Sequence, residues 1–346
     1  MNKEAEVLFD RRGAAGIITL NRPKALNALT LGMVRELHQK LVEWAADNTI
    51  LCVIIEGAGD RAFCAGGDIR ALYDWGRAGD PSALAFWREE YRLNTLVKRY
   101  PKPYVSLMDG INMGGGVGLS VHGSHRVATE RLAFAMPETG IGLFPDVGGT
   151  HFLPRAPGET GLYLALTGTR LKAADAIYTG IADAYVPSVR LETLKDRLAG
   201  GAPVREALGE VVEEEGHAPL VDIQSDIDSH FGKDSVADIL ASLRGDGGEW
   251  ATKTADTIEA KSPTSTLVAF RQVNEGERLG FEDCMKLEYR LINSFVKGHD
   301  FYEGVRAVVI DKDQAPKWKP ATLAEMSASD VDGYFEPLGD GELTFG

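Results

Sequence analysis

The chain has 346 residues, 44% of them hydrophobic and 25% charged, the balance of an ordinary soluble globular protein. Its length suits one large core with an appended helical region, or two domains. The formal charge of −14 argues against broad nucleic-acid binding, and no apolar run reaches the length of a membrane span.

The N-terminal MNKEAEVLFDRRG has neither a signal peptide's apolar core nor the acid-poor helix of a transit peptide. It fits a cytoplasmic protein. Cys52, Cys64 and Cys284 are widely spaced, which fits a reducing compartment. His122 and His125 have no nearby Cys or spaced carboxylate to complete a ligand set, so no metal is expected.

Residues 5–20 read as a hairpin turned at a glycine. Thr30 can cap a helix that buries Val34, Leu37, Leu41 and Trp44. Residues 50–56, ILCVIIE, form a short continuous apolar strand, and the loop GAGDRAFCAGGDIR follows. A helix over 83–100 stops at Pro101 and Pro103, which lead into a strand at 104–108. The run Gly114-Gly115-Gly116 opens another helix. Short strands at 126–129 and 133–135 precede a loop, and helices follow at 158–166 and 172–178. This repeated usage predicts an α/β core of stacked short strands with helices outside. Composition shifts near Gly200. Residues 1–200 are expected to be the core and 201–346 a mostly helical extension packed on it, acidic at first and ending in an irregular tail.

Two glycine loops, AFCAGGDIR and INMGGGVGL, each follow a strand and open a helix. Such loops expose backbone N–H groups at a positive helix end, and two of them converging could hold an oxyanion. Each taken alone is also what a tight turn needs. Neither is a GxGxxG or Walker sequence. Glu90 shares a helical face with Phe86, Leu93 and Val97, so it either pairs with an Arg, reaches the surface, or contacts substrate. Glu138 and Asp146 stand in FAMPETGIGLFPDVGG, where apolar neighbours make their charge costly to bury. Caps and internal ion pairs are the structural alternatives, but next to two glycine donors the pair suggests acyl chemistry.

Together, AFCAGGDIR, INMGGGVGLSVHG, FAMPETGIGLFPDVGGTHFLPR and GHDFYEGVRAVVIDKD resemble the 3-hydroxyisobutyryl-CoA hydrolases of the crotonase (enoyl-CoA hydratase/isomerase) superfamily, over almost the whole chain. The resemblance implies a spiral of ββα turns with a C-terminal helical region, and an acyl-CoA thioester as the binding partner. CoA would then be part of the substrate rather than a cofactor. It places the oxyanion-binding N–H groups on Gly67 and Gly115, the catalytic carboxylates on Glu138 and Asp146, and a substrate contact on Glu90. Lys24 and Arg70 fall at positions near the CoA moiety, and Lys312 is a weaker candidate. Hydratases of the superfamily carry a second glutamate just after the glycine run. Here that position is Gly118.

The resemblance therefore implies thioester hydrolysis, most specifically of 3-hydroxyisobutyryl-CoA as in valine breakdown. A hydratase or isomerase, and a non-catalytic CoA-binding scaffold, are the competing readings. Crotonases often form trimers and hexamers, so a homo-oligomer is an open expectation.

Overall fold

Apolar positions in VLFDRR and AGIITL pair across a tight turn. Val7–Arg12 (β1) and Ala15–Leu20 (β2) form the expected antiparallel hairpin, with Val7 opposite Leu20 and Arg12 opposite Ala15. Thr30 then caps the helix Leu31–Ala46 by accepting from the Met33 N–H at 3.2 Å. The predicted face of that helix, Val34, Leu37, Leu41 and Trp44, is buried. The computed structural model describes residues 5–345.

From Cys52 the chain repeats one move. Cys52–Gly57 (β3) is followed by Ala62–Cys64 (β4), Tyr104–Met108 (β5) by Ile111–Met113 (β6), and His125–Ala128 (β7) by Ala133–Ala135 (β8). The first strand of each pair joins a six-stranded sheet of order β1-β2-β3-β5-β7-β9, where β9 is Ala184–Tyr185. The second joins a three-stranded sheet of order β4-β6-β8. Every pairing after the hairpin is parallel. Parallel neighbours require crossovers, and the intervening short strands and helices supply them. This is the ββα spiral expected from the sequence.

Three strands, Ala62–Cys64, Ile111–Met113 and Ala184–Tyr185, escaped sequence reading. Ala62–Cys64 lies within the expected loop, and Ile111–Met113 lies where the glycine-run helix was expected to follow Tyr104–Met108 directly. Three residues are too few to show a period of two, and these strands are held by their parallel neighbours rather than by local propensity.

Contacts group the chain into two units, neither continuous in sequence. The first comprises residues up to Asp68, Glu89–Ala135 and Arg170–Leu220. The second comprises Ile69–Arg88, Met136–Thr169 and the residues from Val221 onward. The first unit holds both sheets. Its core packs Ile17, Ile54, Val105 and Val127 against Leu194, Leu198 and Ala207 from the helices Leu191–Ala199 and Val204–Gly209. The second is helical. Helices Pro263–Gly276 and Phe281–Phe295 carry much of its buried surface. The chain end was expected to be irregular, but Ala328–Phe335 is a helix. Ser327 and Asp330 close a capping box at its start, and the Arg271 guanidinium stacks over Phe335 at 4.0 Å. The S-x-x-D spacing was the available signal for it. Among the described residues no helix is long and apolar enough to cross a membrane.

Thr30→Ala should lower stability by about 1 kcal/mol, measured by urea unfolding. An unchanged midpoint would show that the cap contributes nothing.

Candidate active site

In the first unit the two glycine loops lie against each other. Gly66 has φ +119°, and a Cβ there would stand 3.6 Å from the Met113 carbonyl oxygen and 3.8 Å from Gly115 N. Gly114, at φ +47°, turns β6 into the helix Gly115–Ser120. Both conformations favour glycine. The first loop is pinned by Leu29, whose N–H donates to Gly66 O at 2.8 Å and whose carbonyl accepts from Asp68 N–H at 2.8 Å. Among the described residues the N–H groups of Gly67 and Gly115 find no acceptor. Glu90 is 2% exposed, with Phe86, Leu93 and Val97 buried along the same stripe. A side chain at Gly115 would run into its Oε1. Glu89 points elsewhere and pairs with Arg35 at 2.7 Å.

Gly118 has a physical neighbour that sequence could not show. A Cβ there would stand 2.6 Å from Asn94 Nδ2, and Asn94 is fully buried. The space that a side chain at 118 would need is filled by an amide from the helix Ser82–Lys98.

In the second unit Glu138 opens the 3-10 turn Glu138–Ile141. It is 5% exposed and its Oε2 has no hydrogen-bond partner. Burial pushes its carboxyl well above the ordinary range. The Asp146 carboxylate adds to that, Glu288 adds less, and the Lys261 ammonium opposes it. Lys261 is itself lowered, because burial outweighs the attraction of Glu138. Asp146 is 7% exposed. The two expected carboxylates are thus buried and electrostatically coupled.

The loop carrying Asp146 is held by residues the sequence reading missed. Glu288, fully buried, accepts from Gly148 N–H at 2.8 Å and Thr150 N–H at 2.9 Å. Burial, with a smaller push from the Asp146 charge, raises its carboxyl to about 8 against the pull of those N–H groups. Gln272 donates to Pro145 O at 2.6 Å and to Thr150 Oγ1 at 2.7 Å. Both were findable by the rule that singled out Glu90. Glu288 interrupts the stripe Cys284, Met285, Leu291, Ile292 and Phe295, and Gln272 interrupts Val268, Ala269 and Val273.

Lys24, in the first unit, and Arg70 and Lys312, in the second, are exposed. Among the described residues none of the three makes an ion pair.

A family model described as enoyl-CoA hydratase/isomerase matches residues 15–335. The mitochondrial 3-hydroxyisobutyryl-CoA hydrolase of Danio rerio is 51% identical over 98% of this chain and 91% of that protein. The protein of the same name from Homo sapiens is 47% identical over the same shares. Among solved structures, a carnitinyl-CoA dehydratase from Mycobacterium thermoresistibile superposes with a TM-score of 0.95 at 45% identity over 99% of both chains. An enoyl-CoA hydratase from Rhodobacter sphaeroides gives 0.93 at 40%, over 99% of this chain and 100% of that one. The chain belongs to the enoyl-CoA hydratase/isomerase family, and its resemblance to the 3-hydroxyisobutyryl-CoA hydrolases is borne out by these relatives. The cytoplasmic expectation is corrected by the same names, since the relatives are mitochondrial. Separated thiols indicate a reducing compartment without saying which one.

A carboxyl whose folded pKa is raised binds extra protons in the folded state. Its stabilising effect is therefore present at low pH and lost as pH rises through the folded value. As pH rises above the unperturbed glutamate value of about 4.3, the parent protein should lose stability more steeply than Glu138→Gln, by up to about 1.4 kcal/mol per pH unit, read from thermal melts. Parallel pH dependences would contradict the buried-acid assignment. Gly118→Glu should destabilise by about 1–3 kcal/mol through overpacking against Asn94 and should gain no hydration of crotonyl-CoA. A stable variant that hydrates would contradict it.

Proposed function

We propose that the chain is an acyl-CoA thioester hydrolase that converts 3-hydroxyisobutyryl-CoA to 3-hydroxyisobutyrate and CoA, a step of valine breakdown. The observation that carries this reading is Glu138, a buried carboxyl with an unpartnered oxygen and raised basicity beside Asp146. Thioester hydrolysis needs donors for an oxyanion and a group that attacks or activates water. Gly67 and Gly115 offer N–H groups for the first role, and Glu138 serves the second. Donors that meet the oxyanion better than the ground-state carbonyl accelerate the step, each by on the order of 3 kcal/mol.

Two routes use these groups. In one, ionised Glu138 attacks the thioester carbon, the C–S bond breaks, and water then cleaves the mixed anhydride. Asp146, or a water it holds, protonates the departing thiolate. In the other, Glu138 takes a proton from a water whose oxygen bonds the thioester carbon, and the C–S bond then breaks with the thiolate protonated as in the first route. A raised proton affinity serves both, since it makes the ionised group a stronger base and nucleophile. Glu90 contacts the substrate near Gly115, and Lys24 and Arg70 meet the phosphates of CoA.

The hydratase reading is favoured by the two solved relatives, a carnitinyl-CoA dehydratase and an enoyl-CoA hydratase by name. Against it, Gly118 supplies no second carboxylate and Asn94 fills its space. Thiol release from 3-hydroxyisobutyryl-CoA should fall about 10²–10⁴-fold in Glu138→Gln and Asp146→Asn, with little change in KM. Rapid hydration of crotonyl-CoA by the parent, or parental thiol release by either variant, would overturn the proposal. A single turnover in oxygen-18 water separates the routes: label entering Glu138 supports the anhydride, and its absence supports direct attack.

A further inference from the structure

The segment around Asp146 has an unusual backbone. Val147 is β-branched yet sits at φ +50°, and Gly148 follows at φ +91°. A β-branched residue in the left-handed region is strained by roughly 1–3 kcal/mol and persists only where its surroundings over-determine it. The surroundings here come from two helices of the same unit. Glu288 on Phe281–Phe295 takes the N–H groups of Gly148 and Thr150, one on each oxygen. Gln272 on Pro263–Gly276 donates to the carbonyl of Pro145, immediately before Asp146, and to the Thr150 hydroxyl. The Asp146 carbonyl accepts from Gly149 N–H at 2.8 Å. Asp146 is thus bracketed by bonds on both sides.

We propose that Glu288 and Gln272 are positioning residues that fix Asp146 for the reaction by clamping the loop Pro145–Thr150. The inference rests on the reading that Asp146 acts in thioester hydrolysis. The residue types are what the task requires. Two N–H donors converge on position 288, and only a carboxyl offers an accepting oxygen to each. An amide of the same size would turn its NH2 toward one of them. At 272 the requirement reverses, because a carbonyl and a hydroxyl oxygen need an NH2. A neutral isostere at either position removes bonds to the loop while leaving volume nearly unchanged.

The test is a mutant cycle of Glu288→Gln and Gln272→Met, each in the parent and in Asp146→Asn. The readout is single-turnover thiol release from 3-hydroxyisobutyryl-CoA with enzyme in excess, so that residual rates are measurable. In the parent, each clamp variant should slow the step by about 10–100-fold, as expected of a misplaced group, with half-saturation changed less than about threefold. In Asp146→Asn each should slow the residual rate by less than about twofold, because coupled residues are not additive. Equal fold losses in both backgrounds, or a change confined to half-saturation, would make the role merely structural and overturn the inference. Asp146→Asn at the parental rate removes the reading of Asp146 and the inference with it. A slow Asp146→Asn beside clamp variants at the parental rate removes the inference alone. Should Glu288→Gln fail to fold, Gln272→Met decides the outcome by the same criteria.

Discussion

Three carboxyl side chains, Glu138, Asp146 and Glu288, are buried in one unit at 5%, 7% and 0% exposure. Each carboxylate taken from water is costly, and like charges close together raise the cost. The structure meets it unevenly. Glu288 is compensated by two backbone N–H groups, whereas Glu138 keeps an oxygen with no partner. One acid is therefore tied into the scaffold and the other is left with unspent hydrogen-bonding capacity. That asymmetry is the basis for proposing Glu138 as the reactive group and Glu288 as a support.

Space also decides what position 118 can hold. In the hydratases that the chain resembles, a second glutamate is expected there. At Gly118 the fold instead admits the Asn94 side chain from a neighbouring helix, which packs against the glycine backbone. Restoring an acid there is not a matter of one substitution, because the amide already occupies the volume. The acid proposed to accompany Glu138 is Asp146, on a loop with left-handed backbone at Val147 that Glu288 and Gln272 bond.

Much of this was legible in the sequence. The hairpin, the Thr30 cap and β5 follow from hydrophobic patterning, capping chemistry and the prolines before Tyr104. The residues Glu138, Asp146 and Glu90 stood out as charges among apolar neighbours, and all three are buried. Strands β4 and β6 were not legible, since three residues carry no period and their partners are distant in sequence. Glu288 and Gln272 were overlooked although each interrupts an apolar stripe, because which loop they reach is a tertiary fact. Asn94 was hidden for the same reason. The left-handed backbone at Val147 could not be read at all, since a valine gives no sign of positive φ.

Burial and the neighbouring Asp146 charge raise the proton affinity of Glu138, the carboxyl proposed to react. Its ionisation can be followed by carbon-13 NMR of glutamate-labelled protein, with the resonance assigned by its loss in Glu138→Gln. The account predicts titration well above the ordinary carboxylate range. Titration near the unperturbed glutamate value of about 4.3 would contradict it.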